Sequence, residues 1–356
     1  MTTSKKLKVG VIGLGIGKQH LSGYRSNPSV EITALADPDT VRMEGIAAEV
    51  PQARCYATAE AMFEKEKLDL VSICTPNSLH RPLTLLALEN GAHVLCEKPM
   101  AMNTAEAREM NAAAARANRR IMIHFSTRFH EQSLAMKAQV DTGVLGDIYF
   151  GRTLWNRRDN APRFGGWFGI KALSGGGPLI DLGVHRLDLA LWLMGFPKPT
   201  WVMAATYDPL LRARAEREGK PFDVEDLAVA SIRFKNGATL LLETSWVLHQ
   251  KEDQKMETSL YGTKGGLTLR NVNEGYSYEG EVYHAQGGFQ FNTRHHSLPS
   301  DAWLRGIDHY VDAILHDRPH IATGEEGLAV MELLDTIYES ARLGAPVCLQ
   351  EPEKAS

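Results

Sequence analysis

Asp181 and His185 stand four residues apart, just after the run Ser174-Gly175-Gly176-Gly177-Pro178. On a helix this spacing puts a carboxylate and an imidazole on one face, with Asp188 a further turn along. The imidazole can take or return a proton near neutral pH, and the carboxylate can orient a polar substrate. The competing reading is a buried histidine satisfied by its helix neighbour. Upstream, Glu97-Lys98-Pro99 closes the apolar run His93–Cys96, and Pro99 restrains Lys98 to an extended backbone. An ammonium there can hydrogen-bond a substrate hydroxyl and favour its alkoxide form. The plainer alternative is a surface lysine paired with Glu97. A third group, Cys74-Thr75-Pro76-Asn77-Ser78-Leu79-His80, follows another apolar run. There Thr75-Pro76 makes a rigid turn, and Asn77 can reach a ribose or an amide, or else cap the next helix. Trp155 and Trp167 flank the segment before Asp181 and could stack on a sugar ring, with Arg157, Arg158 and Arg163 nearby. Core or interface positions are their alternative.

These groups need a scaffold, and the first residues supply one. The apolar strand Leu7–Ile12 runs into Gly13, Gly15, Ile16 and Gly17, and Lys18–Tyr24 can continue as a helix. A glycine-rich turn between a strand and a helix gathers free backbone N–H groups and the positive end of the helix dipole, which suits a pyrophosphate. The usual spacing asks for its third glycine at position 18, where this chain has Lys18. About twenty residues on, the strand Glu31–Ala36 ends in Asp37, placed to accept hydrogen bonds from a ribose and to repel a 2′-phosphate. Asp37 therefore favours NAD over NADP, although Arg42 nearby softens that preference; a plain Asp-Pro turn is the alternative.

The 356 residues suffice for two domains, each with its own core. A formal net charge of −4 and 23% charged residues give no basic surface for nucleic acid or for an anionic membrane. No apolar stretch reads as a signal peptide or a membrane span. Cys55, Cys74, Cys96 and Cys348 have no metal-ligand spacing, so no metal is expected, and buried thiols in a reducing cytoplasm are. Continuous apolar runs at Leu68–Cys74, His93–Cys96 and Ile121–Phe125 alternate with helical patterns at 40–49, 59–65, 79–90 and 105–118. That is a doubly wound parallel sheet, a Rossmann domain over 1–124. From 125 to 356 the pattern becomes an α/β domain on an open, mostly antiparallel sheet. Its helices include 130–141 and 178–194, and a closing pair covers 301–315 and 325–343. Residues 271–300, polar and weakly periodic, read as a long loop.

Taken in order, these motifs resemble the Gfo/Idh/MocA oxidoreductases, a group that includes glucose–fructose oxidoreductase and inositol dehydrogenases. The likeness rests on the glycine turn, Thr75-Pro76-Asn77 with His80, Glu97-Lys98-Pro99, Arg128-Phe129, and Gly175–Gly177 with Asp181 and His185. It implies Lys98, Asp181 and His185 as the catalytic group. It implies Gly13, Gly15, Ile16, Gly17, Asp37, Thr75, Pro76, Asn77, His80, Glu97 and Lys98 as the cofactor site. Lys98, Arg128, Trp155, Arg157, Arg163, Trp167, Asp181 and His185 are then the expected substrate contacts. The implied activity is NAD-dependent oxidation of a sugar, inositol-like polyol or glycoside hydroxyl, in a homodimer or homotetramer built through the C-terminal sheet. A glycosidase that works by transient oxidation, and a non-catalytic NAD-binding regulator, are the alternatives.

Overall fold

The computed structural model describes residues 6–295 and 301–349. They form two compact units: residues up to Phe129 with those from 301 to Met331, and 130–295 with those from Glu332 onward. The first unit begins β1 (Leu7–Ile12), α1 (Leu14–Ser26), β2 (Val30–Ala36), α2 (Thr40–Ala47), β3 (Arg54–Tyr56) and α3 (Ala59–Lys65). It continues β4 (Leu70–Ile73), α4 (His80–Glu89), β5 (His93–Cys96), α5 (Thr104–Ala117) and β6 (Ile121–Ile123). The six strands are parallel in the order β3-β2-β1-β4-β5-β6. All of β4 and β6 is buried, as strands covered on both faces must be. Asn103 starts α5 by accepting the Glu106 N–H at 3.0 Å, and Asp39 starts α2 by accepting that of Arg42 at 3.0 Å.

The first helix begins at Leu14, four residues before the expected start. Gly13, at φ 84°, turns the chain straight from strand to helix, and the other two glycines fall inside the first turns. A β-carbon on Gly17 would lie 2.9 Å from Val11 Cγ1, so this glycine lets α1 lie on β1. It does at 17 what was expected of position 18.

The second unit contains α6 (Glu131–Asp141), β7 (Ile148–Arg157), α7 (Lys171–Ser174), α8 (Val184–Met194), β8 (Pro199–Tyr207) and α9 (Pro209–Glu218). Then come β9 (Leu227–Phe234), β10 (Thr239–Ser245), β11 (Gln254–Gly262), β12 (Gly265–Val272), β13 (Ser277–Gln286) and β14 (Phe289–His295). The chain ends with α10 (Ala302–Leu315), α11 (Gly324–Leu343) and β15 (Val347–Cys348). The nine-stranded sheet has the order β14-β13-β12-β11-β7-β10-β9-β8-β15, with only the β7–β10 pair parallel.

Two differences from the sequence expectation have physical causes. Within 271–295 there is a hairpin, β13–β14, where a loop was expected. Residues 289–294 of this edge strand are all exposed, so no inward alternation marks them. Residues 296–300 lie outside the described part. Secondly, α10 packs in the first unit although its sequence lies beyond residue 125. Gly23 of α1 leaves room for Ile307, Asn27 Nδ2 donates to Asp308 Oδ1 at 2.7 Å, and the Tyr310 hydroxyl donates to the Arg120 carbonyl at 2.8 Å.

Candidate active site

In the first unit the glycine turn, Asp37 and the Thr75 loop come together at the carboxyl ends of the strands. A β-carbon on Gly13 would lie 2.6 Å from the Cys74 carbonyl and 3.0 Å from Thr75 Cγ2. The Gly13 N–H donates to the Ala36 carbonyl at 2.8 Å, and the Leu14 N–H to Asp37 Oδ2 at 2.6 Å. Asp37 is buried, and its oxygens also accept from the Asp39 N–H at 2.8 Å and from Arg42 Nη1 at 3.1 and 3.3 Å. Two ribose hydroxyls can reach this carboxylate only if Arg42, half exposed, swings aside. By contrast, nothing lies within 4 Å of the β-carbon position of Gly15, and Thr75 Oγ1 is buried without a partner. Open space over a helix start and an orphaned hydroxyl fit a dinucleotide pyrophosphate and its neighbouring sugar. Pro76 leads into a single 3₁₀ turn, Asn77–Leu79, with Asn77 buried and Ile16 exposed on α1.

Three side chains expected at the ligand face the interior instead. Glu97 Oε1 accepts from His20 Nε2 at 3.0 Å and His124 Nδ1 at 2.9 Å, while Oε2 accepts the Lys98 N–H at 3.2 Å. Burial opposes its charge, but the hydrogen bonds from His124 and His20 outweigh it and hold the carboxyl well below 4.5. Burial keeps His20 neutral, so its Nδ1 accepts from Ser72 Oγ at 3.0 Å, which in turn accepts from the Tyr24 hydroxyl at 2.8 Å. Every donor in this chain points toward Glu97, and the last link is the backbone of Lys98. His80, fully buried, lies 2.7 Å from the Pro99 carbonyl and 3.0 Å from that of Thr75, tying those two loops together. Burial is the largest influence on its pKa and lowers it, while the two carbonyl acceptors act in the opposite direction. Arg128 is also fully buried, donating to Glu326 Oε2 at 2.8 Å beneath the Phe125 ring. Sequence spacing shows strand ends but not which way their side chains turn. Lys98 itself is half buried, and the Lys98–Pro99 peptide bond is cis.

In the second unit Asp181 lies in a π-helical turn, Leu179–Gly183, which runs into α8 carrying His185. Such turns interrupt helices often at functional sites, and here both residues, like Lys98, are half buried. The turn is anchored from its start. Glu225 accepts the Gly177 N–H at 2.9 Å, the Leu179 N–H at 3.1 Å and the Tyr338 hydroxyl at 2.9 Å. Asp181 Oδ2 accepts from the indole N–H of Trp246, fully buried, at 3.0 Å. His185 faces the Trp155 ring with centroids 5.7 Å apart. That indole is buried, donates to Gln254 Oε1 at 3.0 Å, and has the guanidinium groups of Arg157 and Arg186 at 5.4 and 5.1 Å from its centroid. Trp167 stacks on Phe168 at 3.9 Å, and Arg163 is exposed on the same loop.

Trp246, Glu225 and Arg186 were not singled out by sequence. Arg186 is fully buried, held by the Tyr278 hydroxyl at 3.0 Å, with Nε and Nη1 unpartnered. Its place in a largely apolar helix, between His185 and Asp188, was the signal available.

Residues 7–125 match the model described as the oxidoreductase family's NAD-binding Rossmann fold, and 137–349 match the family's C-terminal alpha/beta domain. A D-glucoside 3-dehydrogenase of Escherichia coli (strain K12) is 33% identical over 97% of this chain and 98% of its own. A D-apiose dehydrogenase of Paraburkholderia graminis is 28% identical over 99% and 92%. The crystal structure of an aldose-aldose oxidoreductase from Caulobacter crescentus, complexed with glycerol, superposes with a TM-score of 0.81 at 26% identity, covering 97% of this chain and 100% of the other. With an NAD-binding Rossmann domain and the family's second domain matched in order, this chain belongs to the Gfo/Idh/MocA oxidoreductases.

Proposed function

We propose that this protein oxidises a hydroxyl of a neutral sugar, inositol-like polyol or glycoside to a ketone, with NAD as the acceptor. The observation that supports this best is that Asp181 and His185, both half buried, follow one another on a π turn and the helix it runs into, Asp181 fixed by Trp246, in a chain whose first domain is the family's NAD-binding fold. Bound NAD supplies the hydride acceptor. His185 removes the hydroxyl proton, Lys98 holds the same oxygen and favours its anion, and Asp181 orients the substrate through a neighbouring hydroxyl. Gly13, Gly15, Ile16 and Gly17 offer the pyrophosphate the start of α1, Asp37 takes the ribose, and Thr75 with Asn77 lies alongside. Trp155, Arg157, Arg163 and Trp167 shape the substrate end. The name of the glucoside dehydrogenase relative favours a ring hydroxyl of a glycoside.

The protein assembles as a homodimer or homotetramer through the open face of the second sheet. Register puts Met203, Ser231, Leu241 and Arg152 in one row, with Tyr261 opposite Phe150 on the same face, and Met203, Leu241 and Tyr261 are exposed. Among the described residues no helix is long and apolar enough to cross a membrane, and the four cysteines are free, which suits a reducing cytoplasm.

The test is a panel of inositols, aldoses and glycosides with NAD and with NADP, following reduced cofactor and analysing product. A keto product with matching NADH is expected. Sugar released without net NADH would replace this reading with the glycosidase, and turnover only with NADP would refute the role given to Asp37.

A further inference from the structure

The second unit carries a cleft of about 500 Å³ at the end of β7 and the start of β11, within the range of small-molecule sites. Its lining includes Arg158, Asp159, Asn160, Asp253, Glu274 and Tyr276. Gln254, at its base, shares its Oε1 between Trp155 Nε1 and Arg157 Nε, and its Nε2 donates to the Glu274 carbonyl at 3.4 Å.

The wall is preformed. The turn between β12 and β13 carries Asn273 and Glu274 at φ 51° and 57°, a conformation non-glycine residues seldom adopt. Asn271 Nδ2 donates to the carbonyls of Gly275 and Gln254, and Glu274 Oε2 accepts the Asp253 N–H at 2.8 Å. This turn presents Tyr276, a residue 59% exposed, whose hydroxyl accepts from Arg157 Nη2 at 3.1 Å. An exposed aromatic ring beside side-chain donors and acceptors suits the faces and hydroxyls of a sugar. The lining carries three carboxylates and Arg158, with Asp159 paired to Arg214, Asp253 near Arg158 and Arg157 held on the Tyr276 hydroxyl, so it has no excess of cations to favour a phosphorylated or acidic ligand. Tyr276 meets the Trp155 ring edge-on at 6.2 Å, and Trp155 meets His185 at 5.7 Å. One indole therefore separates the cleft from the proposed base.

We propose that this cleft is a second subsite, taking the neutral sugar or polyol ring joined to the ring that is oxidised. The proposal rests on the oxidoreductase reading above, and names its substrate more narrowly as a two-ring glycoside. Steady-state kinetics with NAD on matched pairs, a methyl glycoside and a disaccharide sharing its first ring, test it. Wild type is expected to favour the disaccharide in kcat/KM. Tyr276→Ala and Asn160→Ala should each cut the disaccharide-to-methyl-glycoside ratio of kcat/KM by fivefold or more, through KM, whereas Tyr276→Phe keeps it. A ratio within twofold of wild type in both alanine variants overturns the subsite and leaves the oxidoreductase reading standing. Wild type that turns over no pair overturns that reading, and the subsite with it.

Discussion

The surroundings of Lys98 in the first unit and of His185 in the second are built on opposite plans. Around Lys98 the polar groups converge on one carboxylate: Tyr24, Ser72 and His20 form a directed chain onto Glu97, burial lowers the pKa of His20, and His124 joins through Nδ1 while its Nε2 stays buried without a partner. Around His185 the support is aromatic and incomplete. One indole fixes Asp181, another faces the imidazole, and Arg186 keeps two buried nitrogens unpartnered. The difference separates two tasks. A carboxylate held by two imidazoles and a backbone N–H fixes the chain at Lys98, whereas aromatic rings leave Asp181 and His185 open to polar contacts of their own.

The sharpest way to break this comparison is to remove one working group from each region. Lys98→Ala and His185→Ala should each lower kcat by about 10²-fold or more while NAD binding, read by fluorescence titration, changes little. Near-wild-type turnover in both would remove the functional contrast.

Next in size is a pair within the glycine turn. Gly13→Ala combines φ 84° with a contact 2.6 Å from a carbonyl, and should cost roughly 2 kcal/mol or more of stability, measured as a fall in denaturation midpoint. Gly15→Ala meets nothing within 4 Å, so its stability should change by less than about 1 kcal/mol while NAD affinity falls. Equal effects on stability would mean that the open space over Gly15 has no bearing on the ligand.

Trp246→Phe tests the second region more gently. It removes one hydrogen bond to Asp181, worth about 1 kcal/mol, and should reduce kcat/KM roughly fivefold with the fold intact by circular dichroism. No change would mean that Asp181 is positioned by something else.

The smallest expected effect is on pH dependence, and its sign differs between the units. His20 is pushed below 6.5, so the unfolded chain binds its proton first and stability of the first unit falls as pH drops below about 6.5. Glu97 adds to this lower down: its contribution is present above about 4.5 and is lost as pH falls toward its depressed folded value. Glu225 in the second unit is raised by burial, so its contribution is present below about 4.5 and is lost as pH rises through its folded value. Hydrogen exchange resolved by peptide should show β1, β5 and α1 losing protection on acidification before the strands of the second sheet. The reverse order would contradict these assignments.

Much of this was legible in the sequence because it is local. Strand runs such as Leu70–Ile73 and capped helices such as α5 announce themselves through apolar continuity and an asparagine cap. That Asp181 and His185 lie in one helical segment was readable, but their spacing does not distinguish an α turn from the π turn observed. The inward turn of Glu97, His80 and Arg128 was not readable, since their partners lie up to 198 positions away in the chain. Nor was the β13–β14 hairpin: β14 is exposed on both faces and carries no alternation, and β13 does alternate but one of the three residues it buries, Gly280, has no side chain to mark it. Trp246 was hidden for the opposite reason: at the end of an apolar strand, an indole looks like core whether or not its N–H has a task.

The central claim is that hydride leaves a carbinol carbon of a sugar for NAD. Mass spectrometry of the reduced cofactor formed from a glycoside deuterated at one ring carbinol carbon at a time tests it directly. The account predicts deuterium in NADH for one labelled position, with a ketone at that carbon, and about a hundredfold slower appearance in His185→Ala. Unlabelled NADH from every position, or glycoside cleavage with no NADH formed, would contradict it.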